Sequence, residues 1–251
     1  MHAINLAMTT AANNPAAPWR NVLATAVRLL TFRATREDLV GLSYRHLLLG
    51  LFCAWIVGMG RYYDNPRVGL LQHLGIGSVI YVFAFALFLW LIALPLRPPH
   101  WSYLRVCTFV SLVAPPAIIY AIPVEQFFDI DTANAINATF LLVVACWRVA
   151  LLIYFLRVLT RLDAFSIIVT TLLPLTLIIT VLTILNLERA VFSIMGGLSE
   201  RTANDEAFGV LFLLSLFSYL LFIPLVICYL YLVVAEVSER RRARRLKLGA
   251  D

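Results

Sequence analysis

One cation stands inside a long apolar run. In "NATFLLVVACWRVALLIYFLRVLTRLD", residues 137–163, Arg148 sits beside Trp147 with no acid near its depth. If that run crosses a membrane inward from about 135 to 156, Arg148 lies roughly eight residues, or ~12 Å, from its inner end. Snorkelling covers only part of that distance. A guanidinium near the centre of a bilayer costs at least ~2.5 kcal/mol, so it needs an acceptor. The expected acceptors are carbonyls freed by Pro115-Pro116 or Pro174, the hydroxyls of Thr170, Thr171 and Thr176, or a lipid phosphate drawn inward. Two roles stay open: a functional cation facing the bundle or a polar cleft, and a staple that pins its span to a kinked neighbour.

Two further charge clusters have chemical potential. Glu125, Asp129 and Asp131 place three carboxylates within seven residues. Such a set can bind a divalent cation, but acids also keep an outer loop soluble, and that reading is preferred. Arg240, Arg241, Arg242, Arg244, Arg245 and Lys247 follow the last apolar run. Each would gain about 1 kcal/mol near anionic lipid headgroups, and the same cluster serves as an orientation signal. This short stretch offers too little surface for nucleic acid.

The signatures of catalysis are missing: no GxGxxG, GK[ST], GxSxG or HExxH occurs. Every Asp and Glu falls at a span end or in a loop, whereas ion-coupled pumps need acids within the membrane. The four cysteines (Cys53, Cys107, Cys146, Cys228) lie in apolar runs, and the four histidines are scattered. No metal, cofactor or disulfide framework is expected, and the chain is read as non-enzymatic.

The elements that must position these residues follow from hydropathy. Of 251 residues, 62% are apolar and 14% charged, against near half and a quarter in soluble domains. Six apolar runs, at about 44–60, 76–96, 103–122, 135–156, 165–186 and 208–235, approach the ~20 residues that span a bilayer. The expected fold is therefore an all-α, polytopic membrane bundle. Pro115-Pro116 breaks the third run and Pro123 ends it, so that run is expected to be kinked or re-entrant. Before the bundle, Trp19, Val22, Leu23, Ala26, Val27 and Leu30 recur at helical spacing with Arg20 and Arg28 projecting elsewhere. This predicts an amphipathic interfacial helix over 18–34, with a targeting presequence as the rival. Residues 1–17 are expected to be disordered, 35–236 to form the membrane domain, and 237–251 a basic cytoplasmic tail. With both ends inside, 15 basic residues fall on the cytoplasmic face and 4 on the other, as an even number of spans requires.

From the second run onward the layout resembles the bacterial form of the Ypt-interacting-protein (Yip) family. The resemblance rests on "GIGSVIYVFAFALFLWLIALPL", a short basic turn, "YLRVCTFVSLVAPPAIIYAIPV", an outer loop and then "LLVVACWRVALLIYFLRVLTRL". Pro115 and Trp147 occupy the matching punctuation. The resemblance implies a protein that organises or regulates membrane partners, whether another membrane protein or a second copy of the chain. The family's acidic-Leu-Tyr-Gly-Pro and Gly-Tyr-Gly motifs are missing, and it typically has five spans rather than six. The alternative is a small-molecule or lipid transporter or channel without acidic coupling residues. It would need a polar cavity near the midplane, whereas a closed apolar bundle argues against it. Arginine outnumbers lysine nineteen to one, which points to a GC-rich bacterial genome and an inner-membrane setting.

Overall fold

The computed structural model describes residues 17–61, 70–160, 162–185, 187 and 205–248. The expected disordered N-terminus, apart from Ala17, and most of the outer loop at 187–207 lie outside the described residues. Within them the elements are α1 (Ala17–Leu30), α2 (Arg36–Val40), α3 (Tyr44–Arg61), α4 (Leu70–His73), α5 (Ile76–Ala93), α6 (Tyr103–Leu112), α7 (Ile130–Leu159), α8 (Ala164–Ile184) and α9 (Asp205–Leu248). Three short 3₁₀ turns join them, at Leu94–Leu96, Pro115–Ala121 and Val124–Gln126.

Five segments are long and apolar enough to cross a membrane: Ile76–Leu96, Tyr103–Ala121, Ala135–Leu159, Ala164–Ile184 and Phe212–Arg242. The sixth, within α3, is shorter. That segment is Tyr44–Gly60, and α3 as a whole, with 18 residues, is about 27 Å long, against the ~30 Å of a bilayer's hydrocarbon. The chain is thus a helical, multi-pass membrane bundle.

Small residues set the closest packing. Gly50, Ala54 and Gly58 recur every fourth residue along α3, a pattern that lets membrane helices approach backbone to backbone. A Cβ on Gly50 would stand 2.2 Å from Ser111 Oγ and 2.8 Å from the Ser111 carbonyl carbon. One on Gly58 would stand 2.4 Å from Ser78 Oγ. α3 is therefore wedged between α6 and α5.

The same contacts decide the third span. Gly50 meets Ser111, and ten residues on, Gly60 meets Ala121. The third span thus keeps pace with α3 in the same direction and does not turn back, so it is kinked and crossing rather than re-entrant. Its ten α-helical residues and seven 3₁₀ residues span about 29 Å together.

α7 runs antiparallel to this span: Phe109 stacks on Phe155 with centroids 4.2 Å apart, while Arg148 meets Val113. Phe109, Phe155, Val106, Leu112, Leu151, Leu156 and Leu159 are each at most 2% exposed. They close the bundle with carbon. α8 and α9 pair beside it through Thr183 and Ser215 at one end and Leu173 and Leu225 lower down. Only 6% of the apolar window of α9 is buried, so most of that helix faces lipid. α9 continues to Leu248, and the basic segment expected as a separate tail is its last turns.

The N-terminal stripe divides in two. Val22, Ala26 and Leu29 are buried, whereas Trp19, Leu23 and Val27 form an exposed i, i+4, i+8 row. The helix thus docks on the bundle by one face and leaves the other exposed. After it the chain folds back through α2, whose N-cap Thr35 and Asp38 form a capping box.

Candidate functional site: an arginine seat in a broken span

Arg148 and Trp147 are neighbours on α7 and project about 100° apart, so they reach different partners. Trp147 Nε1 donates to Leu30 O, the last carbonyl of α1, at 3.2 Å. Arg148 Nε donates to Val113 O at 3.2 Å. Together they tie α7 to the N-terminal helix and to the break in the third span.

The acceptor exists because of the prolines. In an unbroken helix the Ala117 N–H would bond Val113 O. Pro115 and Pro116 carry no N–H and start a 3₁₀ turn, and the Ala117 N–H bonds Ala114 O at 3.0 Å instead. Val113 O is thereby released one residue beyond the end of α6. A helix C-terminus carries partial negative charge, so the half-buried guanidinium meets both a free lone pair and a favourable dipole. Of the acceptors expected from sequence, the carbonyl freed by Pro115-Pro116 is the one observed.

The threonines do not reach it. Thr176 Oγ1 donates within its own helix to Leu172 O and Leu173 O, each at 3.1 Å. Thr170, Thr171 and Thr180 hydroxyls are buried and find no partner among the described residues. They lie on either side of Pro174 along α8, and Thr171 and Thr180 fall on opposite faces of the helix.

The acidic candidates resolve differently. Asp129 is the N-cap of α7: it accepts from Thr132 N at 3.1 Å and from Thr132 Oγ1 at 2.8 Å. Glu125 lies in the 3₁₀ turn Val124–Gln126 and Asp131 in the first turn of α7. Among the described residues no group of three His, Cys, Asp or Glu is placed to hold a metal ion. The basic residues continue α9, with Arg240 paired to Glu236 through Nε at 2.8 Å and Arg241, Arg242 and Arg245 exposed. The backbone at Arg244 and Lys247 is helical.

Several residues escaped sequence reasoning. Arg28 grips Asp38 with two nitrogens, at 3.1 and 2.8 Å. Burial raises the Asp38 pKa, but the Thr35 N–H together with the Arg28 hydrogen bond and charge outweighs it, holding the carboxyl below its ordinary value. Tyr154 hydroxyl donates to Ala34 O at 2.5 Å, and Arg105 donates to Val40 O at 3.1 Å and His100 O at 2.6 Å. Asp163 is the N-cap of α8. The Ser166 hydroxyl and the N–H groups of Ser166 and Phe165 overcome partial burial and hold its carboxyl low. The acid–base spacing Arg28/Asp38 was the one readable signal among these; the carbonyl acceptors have no sequence signature.

Comparison of the sequence with family models and curated proteins, and of the fold with solved structures, finds no match.

Proposed function

We propose that this chain is a non-catalytic membrane organiser, of the kind the Yip-like layout implies, that holds or regulates other membrane components. The observation that carries the reading is the combination of an apolar centre around Phe109 and Phe155 with a mid-span cation, Arg148, bonded to a backbone carbonyl. A cation bonded this way stabilises a broken helix. We place the protein in a bacterial inner membrane with both termini cytoplasmic, on the distribution of its basic residues. Its partner is another membrane protein or a second copy of the chain.

A transport reading draws on a different observation, the unpaired hydroxyls of Thr170, Thr171 and Thr180 beside Pro174. Buried unsatisfied hydroxyls often mark ordered water, and a proline break is a common part of a membrane pathway. In-membrane photocrosslinking from Tyr231 and Val234, both exposed on α9, tests the organiser reading. It predicts adducts with a reproducible set of membrane proteins or with the chain itself. Lipid adducts alone, together with solute flux in liposomes, would overturn it.

A further inference from the structure

The end of the bundle that carries the basic clusters contains a cleft that the organiser reading does not use. It has a volume of about 180 Å³ and is lined by Arg97, Val237, Arg240 and Arg241. Arg97 comes from the turn after the second span, and the other three from the end of the last span. The two elements are pinned below the cleft, where Tyr229 hydroxyl donates to Ile92 O at 2.7 Å. The arginines are thus brought together by the fold and not by a run of sequence.

Charge and backbone both mark the place. Glu236 takes Nε and Nη2 of Arg240, which orients that guanidinium and leaves Arg97 and Arg241 as net charge. Neither of those two has an ion-pair partner among the described residues. Arg97 ends the 3₁₀ turn Leu94–Leu96 in a left-handed backbone, φ 43° and ψ 54°, a conformation uncommon outside glycine. The volume is below the ~300–1,000 Å³ of small-molecule sites. It suits a single compact anionic group.

We propose that Arg97, Arg240 and Arg241 form a binding site for a phosphate group at the membrane surface. Guanidinium forks match phosphate oxygens in pairs, Val237 supplies an apolar wall, and the cleft lies where the segments Ile76–Leu96 and Phe212–Arg242 end. The group's source is an anionic lipid headgroup or a soluble phosphate.

The test uses the full chain in nanodiscs of neutral phosphatidylcholine, titrated with dioctanoyl phosphatidylglycerol or with inorganic phosphate. Arg97→Gln and Arg241→Gln are each expected to weaken binding roughly ten-fold, the loss of a charge-assisted hydrogen bond to the phosphate. Arg97→Lys should weaken it too, because an ammonium keeps the charge and loses the fork. The double variant Arg33→Gln/Arg45→Gln, which removes two exposed charges outside the cleft, should stay within about two-fold of the parent, because screened charges away from the cleft do not reach it. Tighter binding of the lipid assigns the site to a headgroup, and equal or tighter binding of phosphate assigns it to a soluble anion. Equal losses in the control and cleft variants, unchanged binding in Arg97→Gln, or no binding of either probe would overturn the site. Size-exclusion profiles of all variants verify that the bundle is intact.

Discussion

Replacing Arg148 with leucine in two backgrounds should give opposite results. In the parent chain, Arg148 contributes a charged hydrogen bond to Val113 O, worth about 1.5–3 kcal/mol. A helix terminus adds roughly another 1 kcal/mol. Leucine forfeits both but avoids an insertion cost of at least ~2.5 kcal/mol. The terms nearly cancel, so Arg148→Leu should shift stability by no more than about 1–2 kcal/mol. Now let Pro115 and Pro116 both become alanine. The helix can continue, the Ala117 N–H takes Val113 O, and the guanidinium loses its acceptor. In that background Arg148→Leu should stabilise, by about 2.5 kcal/mol. Arg148→Lys in the parent chain should be worse than leucine, since it keeps the charge without the reach and geometry of the fork. The assay is reversible unfolding in mixed micelles, read as a double-mutant cycle. The expected coupling is about 1.5–3 kcal/mol, several times the ~0.3–0.5 kcal/mol within which independent sites add. Additive changes, or equal destabilisation by leucine in both backgrounds, would refute the seat.

Two other perturbations follow from the packing and the charges. Gly50→Val should abolish the folded bundle, because even a Cβ would lie 2.8 Å from the Ser111 backbone; recovery of correctly folded protein at parental yield would contradict the α3–α6 contact. Asp38 has a folded-state pKa below its ordinary value, so its contribution is complete above the unfolded carboxyl pKa near ~3.9 and fades as pH falls through the lower folded value. Amide-exchange protection across residues 28–40, corrected for intrinsic rates, should therefore decline on acidification, and Asp38→Asn should remove that component at all pH values.

The spans were legible because apolar length alone specifies them. The third-span kink was equally legible, since Pro115-Pro116 cannot sustain a helix. That kink also made one acceptor for Arg148 foreseeable in kind, a freed carbonyl, though not that it would be Val113 O. Which of several helices lies against α7 depends on packing across some 35 residues, as the separation of Arg148 from Val113 shows. The docking of α1 was hidden for a related reason. Its stripe identified an apolar face, but the division between buried Val22 and exposed Leu23 depends on a surface formed by other helices. The Arg97 cleft combines residues more than a hundred positions apart, and "LRPPHW" reads locally as a basic turn. The Gly50-Ala54-Gly58 row had a clear spacing, yet only the bundle shows that Ser111 and Ser78 fill its grooves.

Water access at Thr176, two residues beyond Pro174 on α8 and 6% exposed, tests the closed bundle most directly. In a chain without native cysteines, Thr176→Cys would be reconstituted into liposomes and treated from either side with a membrane-impermeant thiol reagent. An organiser with a closed bundle predicts no labelling until the membrane protein is unfolded. Labelling of the folded protein at a rate near that of an exposed control such as Arg242→Cys would reveal a pathway through the bundle and contradict the proposed function.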